Sequence, residues 1–363
     1  MQAKNYCSPS RPLAASLLTG LLCCLPAGNQ HAQIVFGNSA TTTSSATTSF
    51  SGQATAVSGF AVGSSLTFVN SGALLVSGGA QEAASLGAGV AGAFSAENLH
   101  TAAIGEATAT TTEASVANIS VNTSGFFFAG GAITANFVMS RATTACAAVG
   151  ATATAVSEVD GLVIDGQAIA VTGAVNQIAA VDGNIVIINE QVVSQSATGA
   201  FITVNALHVM TVTGVDLVFA SSSAGITCGN LTAPTQPCDF LTGGGWITGT
   251  PSGAKANFGV AGAIKDGGFW GHLNYIDHDA GMHVKATAVT GYAVDPNDAD
   301  CRIIDYNVTI DGQAGTARVR ACDKGEPGRN DLFQIQLSNG YFAGGDLGGS
   351  RPGGGNIQLH KCN

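Results

Sequence analysis

The run Val181-Asp182-Gly183-Asn184-Ile185-Val186-Ile187-Ile188 reads as a tight turn feeding a buried strand. Asp-Gly supplies the two positive-φ positions of a two-residue hairpin turn, and a continuous branched apolar run suits a strand covered on both faces. Asp165-Gly166 sits between β-prone runs in the same way, and Asp311-Gly312 and Asn339-Gly340 repeat the turn signal further along. Val204, Ala206, His208 and Met210 alternate with Thr203, Asn205, Leu207 and Val209, which predicts a strand with apolar groups on both faces.

Composition extends this reading to the whole chain. Charged residues make up 10% of the 363 positions, against about 25% in an average globular protein. Gly, Ala, Thr, Ser and Val take their place, and the good helix formers Lys, Leu and Met are scarce. An apolar content of 45% argues against wholesale disorder. The expected class is all-β: two sandwich-like domains of antiparallel strands, stapled by disulfides. A formal net charge of −10, with 13 basic residues spread thinly, excludes nucleic acid as a partner, because phosphate binding needs clustered Lys and Arg.

Residues 1–32 read as a signal peptide. Lys4 and Arg11 give a positive start, Leu13 to Leu25 an apolar segment, Pro26-Ala27-Gly28 a break, and Ala32 the residue before the cut. The apolar segment is too short to cross a bilayer, so no membrane span is expected in the mature chain. Six cysteines remain after removal: Cys146, Cys228, Cys238, Cys301, Cys322 and Cys362. An even number in an exported protein reads as disulfides. The expected domain split favours Cys146 with Cys228, Cys301 with Cys322, and Cys238 with Cys362.

The expected first domain covers residues 33–229, with 33–112 rich in Ser, Thr, Ala and Gly and partly flexible. Residues 230–237, with Pro234 and Pro237, form a short stiff linker. The second domain covers 238–363.

Few constellations carry chemistry. Asp323-Lys324-Gly325-Glu326-Pro327-Gly328-Arg329-Asn330-Asp331 spaces carboxylates and amides through a glycine-bent turn, so Asp323, Glu326, Asn330 and Asp331 are candidate calcium ligands. His272, His278 and His283 with Asp277 and Asp279 are the densest set of metal-ligating types, but six residues of strand separate the first two by roughly 20 Å. Trp246, Trp270, Tyr275, Tyr341 and Phe342 could offer a stacking platform for sugars, or pack internally. Gly87-Ala88-Gly89-Val90-Ala91-Gly92 matches the dinucleotide fingerprint without its strand-turn-helix context. No Gly-x-Ser-x-Gly or His-Glu-x-x-His motif is present, so no enzyme is expected.

Two sets of motifs carry family resemblances. Phe128-Ala129-Gly130-Gly131-Ala132-Ile133-Thr134-Ala135, Asn189-Glu190-Gln191, Val204-Asn205-Ala206-Leu207-His208-Val209 and Ser223-Ala224-Gly225-Ile226-Thr227-Cys228 resemble the choice-of-anchor P family of bacterial surface proteins. Thr242-Gly243-Gly244-Gly245-Trp246-Ile247, Tyr275-Ile276-Asp277-His278, Gly325-Glu326-Pro327-Gly328, Ser338-Asn339-Gly340-Tyr341 and the stretch from Gly354 to Lys361 resemble the post-COAP-1 domain, a β-rich module with no established activity. The resemblances imply an extracellular or cell-surface location in a bacterium and a non-enzymatic structural or adhesive role. They bring no catalytic residues and no cofactor. Surface polysaccharide, other surface proteins and a second copy of the chain are the partners this reading allows. A glycan- or calcium-binding module is the second reading, and a secreted hydrolase the third.

Overall fold

The computed structural model describes residues 47–123, 131–229, 238–265, 267–326, 328–349 and 354–362. The expected signal peptide (1–32) and linker (230–237) lie outside the described residues. Residues Ser45–Asn363 form one compact unit.

In chain order the strands are β1 (Ser49–Ala61), β2 (Ser64–Asn70), β3 (Gly79–Val90), β4 (Phe94–Glu106), β5 (Ala109–Asn122), β6 (Ala132–Ala147), β7 (Gly150–Asp160) and β8 (Val163–Ile164). Then come β9 (Gln167–Ala168), β10 (Gln177–Val181), β11 (Asn184–Gln195), β12 (Gly199–Met210), β13 (Asp216–Thr227), β14 (Cys238–Ile247) and β15 (Ala256–Lys265). The rest are β16 (Gly268–Asp277), β17 (Met282–Asp295), β18 (Asp298–Ile310), β19 (Gln313–Cys322), β20 (Leu332–Leu337), β21 (Phe342–Asp346) and β22 (Gly355–Cys362). One 3-10 turn, Gly328–Asn330, is the helical element among the described residues. The protein is all-β.

Three antiparallel sheets result. The first has the order β10-β11-β12-β13-β1-β2; the second is β3-β4-β5-β6-β8-β9, with β7 also on β6; the third is β21-β20-β19-β18-β17-β16-β15-β14-β22. The first two form a sandwich around an apolar core that includes Val57, Leu99, Val116, Ile119, Val138, Leu217 and Phe219. The third curls on itself around a separate core of Phe258, Val260, Tyr275, Ile304, Tyr306, Phe333 and Ile357. Its two ends meet where Gly344 N donates to Gly249 O at 2.9 Å and Gly348 N to Trp246 O at 2.9 Å.

The hairpin turns form where Asp-Gly marks them. Asp165 and Gly166 have φ of 48° and 84°, Asp182 and Gly183 have 50° and 82°, and Asp311 and Gly312 have 48° and 81°. Cys146 is bonded to Cys228, and Cys301 to Cys322. Backbone pairing sets Cys238 opposite Cys362; their side chains lie outside the described ones, so that expected pairing is not described.

The expectation that β12 carries apolar groups on both faces needs correction. Val204, Ala206, Leu207 and Val209 are all fully buried. The facing of side chains inverts at Ala206, so Val204 and Leu207 point inward together. Neighbouring strands invert at the same row: Ala220 of β13, Asn189 of β11 and Val69 of β2 carry φ of 54°, 56° and 52°. Left-handed residues inside strands reverse the period-two alternation, which residue type alone does not announce.

Candidate functional site

The second and third sheets meet through a polar layer. Alternation along β4, β5 and β6 sends Leu99, Val116 and Val138 into the sandwich core and turns His100, Glu113, Ser115 and Arg141 toward the third sheet. From the other side, Thr242, Gly244, Asn257, His272, Asn274, Asn356 and His360 face them, while Leu241, Phe258, Leu273, Tyr275 and Ile357 fill the third sheet's own core. Gly244 permits the approach, because a Cβ there would lie 2.5 Å from Ser115 Oγ. Gly243 and Gly245 are crowded instead by the backbone of the paired strand β22 and the residue before it, at Asn356 O and Gly354 O. Trp246 packs beside Phe137 and Met139 at the same junction.

A polar relay runs through this layer. Glu82 on β3 pairs with His272 Nδ1, and His272 Nε2 meets His100 Nδ1. His100 Nε2 lies 3.4 Å from Glu113 Oε1. Arg141 donates to Glu113 Oε2 from Nε at 2.9 Å and Nη2 at 2.7 Å, and Thr242 Oγ1 adds a third bond at 3.0 Å. Arg141 Nη1 continues to Glu326 Oε1 at 3.2 Å, and Asn356 Nδ2 donates to Glu326 Oε2 at 2.6 Å.

The electrostatics follow from these contacts. Burial alone would raise Glu113, but the Arg141 guanidinium and the His100 imidazole hold it far below the carboxylate range. Burial, then the neighbouring His272, pushes His100 down against the pull of Glu113 and Glu82. His100 Nδ1 and His272 Nε2 share one hydrogen bond, so one of these nitrogens carries the proton and the other accepts it. The contact with His272 lowers the pKa of Glu82 against the opposing effect of burial. The layer thus places a buried Arg141–Glu113 ion pair beside two imidazoles in contact, the outer of which meets the half-buried Glu82.

Beside the relay, Ile104, Thr108, Thr111, Thr143, Phe240 and His360 line a cavity of about 330 Å3. His360 stacks on Phe240 at 4.2 Å and sits 3.3 Å from Thr242 Oγ1. Burial and Arg141 push its imidazole down to about 3.

The turn carrying the candidate calcium ligands closes the far end of the relay. Asp331 is fully buried, and its two oxygens accept Lys324 N and Ile357 N, each at 2.7 Å. Burial lifts it to about 7, although those N–H groups pull the other way. Asp323 accepts Gly325 N at 3.0 Å and Leu359 N at 2.9 Å. Glu326 is engaged with Arg141 and Asn356, and Asn330 is exposed in the 3-10 turn. Asp323, Glu326 and Asp331 do not converge on one point. Among the described residues, the one set of three potential ligand atoms that does is Asp298 with Cys301 and Cys322, and those two sulfurs are bonded to each other.

The histidines separate as strand spacing requires. His272 lies in the relay, His278 at the rim of the layer, and His283 out on β17 beside Asp311. Asp277 accepts Tyr341 OH at 2.6 Å and the N–H groups of Asp279 and Ala280 at 3.1 Å. The aromatics do not share a platform: Trp246 and Tyr275 are buried in different clusters, and Phe342 is exposed on β21. The Gly87–Gly92 run spans the end of β3 and the turn into β4, a strand-turn-strand setting. Sequence reasoning did not find Glu82, His100, Glu113 or Arg141. No local pattern joins them, since His100 and His272 are 172 residues apart.

No family model matches the chain, and no curated protein matches it. Among solved structures, kievitone hydratase from Nectria haematococca aligns over 86% of this chain and 88% of its own, with 8% identity and a TM-score of 0.18. A superposition at that level carries no argument about fold or activity.

Proposed function

We propose that the protein is a non-catalytic, exported component of a bacterial cell surface or extracellular matrix, with a structural or adhesive role. One observation carries this reading: several buried titratable groups with altered environments are spent on holding the sheets together. Glu113, His100 and Asp331 are buried and bonded to protein partners, and Glu158 accepts Gly354 N and Gly355 N at 3.2 and 3.0 Å. None of the described cavities sets a shifted carboxylate beside a shifted imidazole, the arrangement acid–base catalysis would use.

The outer face of the first sheet is the adhesive surface in this reading. Strand register lines up Glu190, Asn205, Ser221, Thr55 and Asn70 in one row, and Val192, Thr203, Ser223 and Gln53 in the next. Asn205 donates to Glu190 and Ser221 to Asn205, each at 2.7 Å, so the side chains of the first row are ordered. Exposed Val192 and Phe201 add apolar area beside them.

The test is display of the chain on cells that lack it, with adhesion to surfaces and cell–cell aggregation measured. Raised adhesion that falls when Asn205, Ser221 and Ser223 are replaced by Lys supports the role. Turnover of an ester, glycoside or peptide substrate, lost in His360→Gln or Asp331→Asn, would overturn it.

A further inference from the structure

At the rim of the polar layer, away from the relay, a lysine, an asparagine and a glutamate stand in contact in that order. Lys255 Nζ donates to Asn118 Oδ1 at 2.9 Å. Asn118 Nδ2 donates to Glu97 Oε2 at 2.8 Å. Asn118 and Glu97 belong to the second sheet, and Lys255 immediately precedes β15 of the third. His278 Nε2 lies 3.1 Å from Asn118 Nδ2 and 2.7 Å from Asn257 Oδ1, and the Trp246 ring centroid is 5.5 Å from Lys255 Nζ. The amine is therefore flanked by an indole, and the amide by an imidazole.

The backbone departs from regular strand to build this arrangement. The β4–β5 pairing slips on both sides of Glu97, and Asn98 and Asn118 have φ of 49° and 46°. These left-handed residues and bulges bring Glu97 and Asn118 into contact with His278 and Lys255 of the third sheet. Such departures from regular geometry persist where surrounding structure enforces them, and they concentrate at sites that need a particular side-chain placement.

We propose that Lys255 and Asn118 join in an intramolecular isopeptide bond, with Glu97 as the proton-transferring group, tying the second sheet to the third. The amine of Lys255, once deprotonated, attacks Cγ of Asn118. The new Nζ–Cγ bond forms and the Cγ–Nδ2 bond breaks. Glu97, held against the leaving nitrogen, accepts a proton from the attacking nitrogen through the tetrahedral adduct and returns it to Nδ2. The Lys255 ammonium and the Asn118 carboxamide become one secondary amide and one ammonium ion, Glu97 is restored, and no oxidant or co-reactant is needed. Alignment of the reactants by the fold replaces a bimolecular encounter.

The test uses the purified full chain, reduced and denatured, analysed by intact mass and by peptide mapping. The expected result is a chain lighter by one ammonia than its processed sequence, with a branched peptide joining the segments around Asn118 and Lys255. Lys255→Arg abolishes that peptide. Glu97→Gln lowers its yield after a fixed incubation by about a hundredfold, the scale of general acid–base assistance. Wild-type protein with both peptides linear and no ammonia lost overturns the proposal, whatever the folding state of the variants. Full cross-linking in folded Glu97→Gln would overturn the role given to Glu97.

Discussion

Glu113 concentrates the chemistry of the polar layer in one side chain. It is buried with Arg141 on one oxygen and His100 near the other, and Thr242 donates to it across the sheet junction. Replacing it by Gln removes the buried counter-charge of Arg141 and leaves it the partly exposed Glu326, and breaking a buried pair from one side costs up to roughly 3–5 kcal/mol. Glu113→Gln is expected to lower denaturant stability by about that amount, measured by urea unfolding of the oxidised chain. Asp331 is a second such residue, with different chemistry. Its two oxygens each accept one backbone N–H, and Gly328 leaves the room, since a Cβ there would lie 2.6 Å from Asp331 Oδ2. An amide in its place turns an NH2 group against one of those donors, at a cost of about 1–3 kcal/mol. Asp331→Asn is expected to lower the melting temperature equally in calcium and in chelator. A deficit seen only in calcium would show that the turn holds an ion.

Individual strands are shaped by the row of left-handed residues in the first sheet. Ala220 is fully buried at φ 54°. Left-handed geometry costs an L-residue roughly 1–2 kcal/mol, more when the side chain is β-branched. Ala220→Gly relieves that strain and gives up one buried methyl, so stability should stay within about 1 kcal/mol of the parent. Ala220→Val adds crowding to strain and is expected to cost 2 kcal/mol or more on the order-of-magnitude scale of core overpacking. Equal effects of the two substitutions in thermal unfolding would show that the inversion is not held by this row. Asp165-Gly166 and Asp182-Gly183 mark the opposite case, because their turn type follows from residue identity alone.

The whole molecule combines a sandwich with an apolar core, a curled sheet with its own core, and a charged layer between them. That layer sets the response to acid. His100 and His360 have folded pKa values below the unfolded imidazole value, so unfolding takes up protons as pH falls below about 6.5. Glu113 and Glu82 are also depressed, and their contribution is present above the usual carboxylate range and lost below it. Asp331 and Glu158 act oppositely: both are raised, so the stability they favour is lost as pH rises, for Asp331 toward about 7. Stability is expected to fall between pH 6.5 and about 3, with a shallower slope in His360→Gln, measured by urea titration across that range. The disulfides add a separate contribution. Cys146–Cys228 spans 82 residues and Cys301–Cys322 spans 21. On the chain-entropy relation the first is worth about 4.5 kcal/mol and the second about 3.4 kcal/mol, so Cys146→Ser with Cys228→Ser should cost more than the equivalent pair in β18 and β19.

Composition and turn chemistry by themselves determined that this chain is all-β, where several hairpins turn, and that paired cysteines tie it together. Those properties are local or statistical: Asp-Gly selects a turn through its own φ preferences, and scarce helix formers leave strands as the way to satisfy the backbone. The polar layer was decided by tertiary structure. His100 and His272, 172 residues apart, and Thr242 and Glu113, 129 apart, become neighbours only when the third sheet packs on the second. The inverted row was equally hidden, because Ala220 and Val69 adopt left-handed φ under pressure from adjoining strands rather than from any preference of Ala or Val. The acidic turn from Asp323 to Asp331 was visible as a cluster of oxygens, yet what those oxygens bond was set by backbone N–H groups of β22, including Ile357 and Leu359, arriving from a distant part of the chain. Side-chain identity supplied the groups; long-range strand pairing and sheet packing chose their partners.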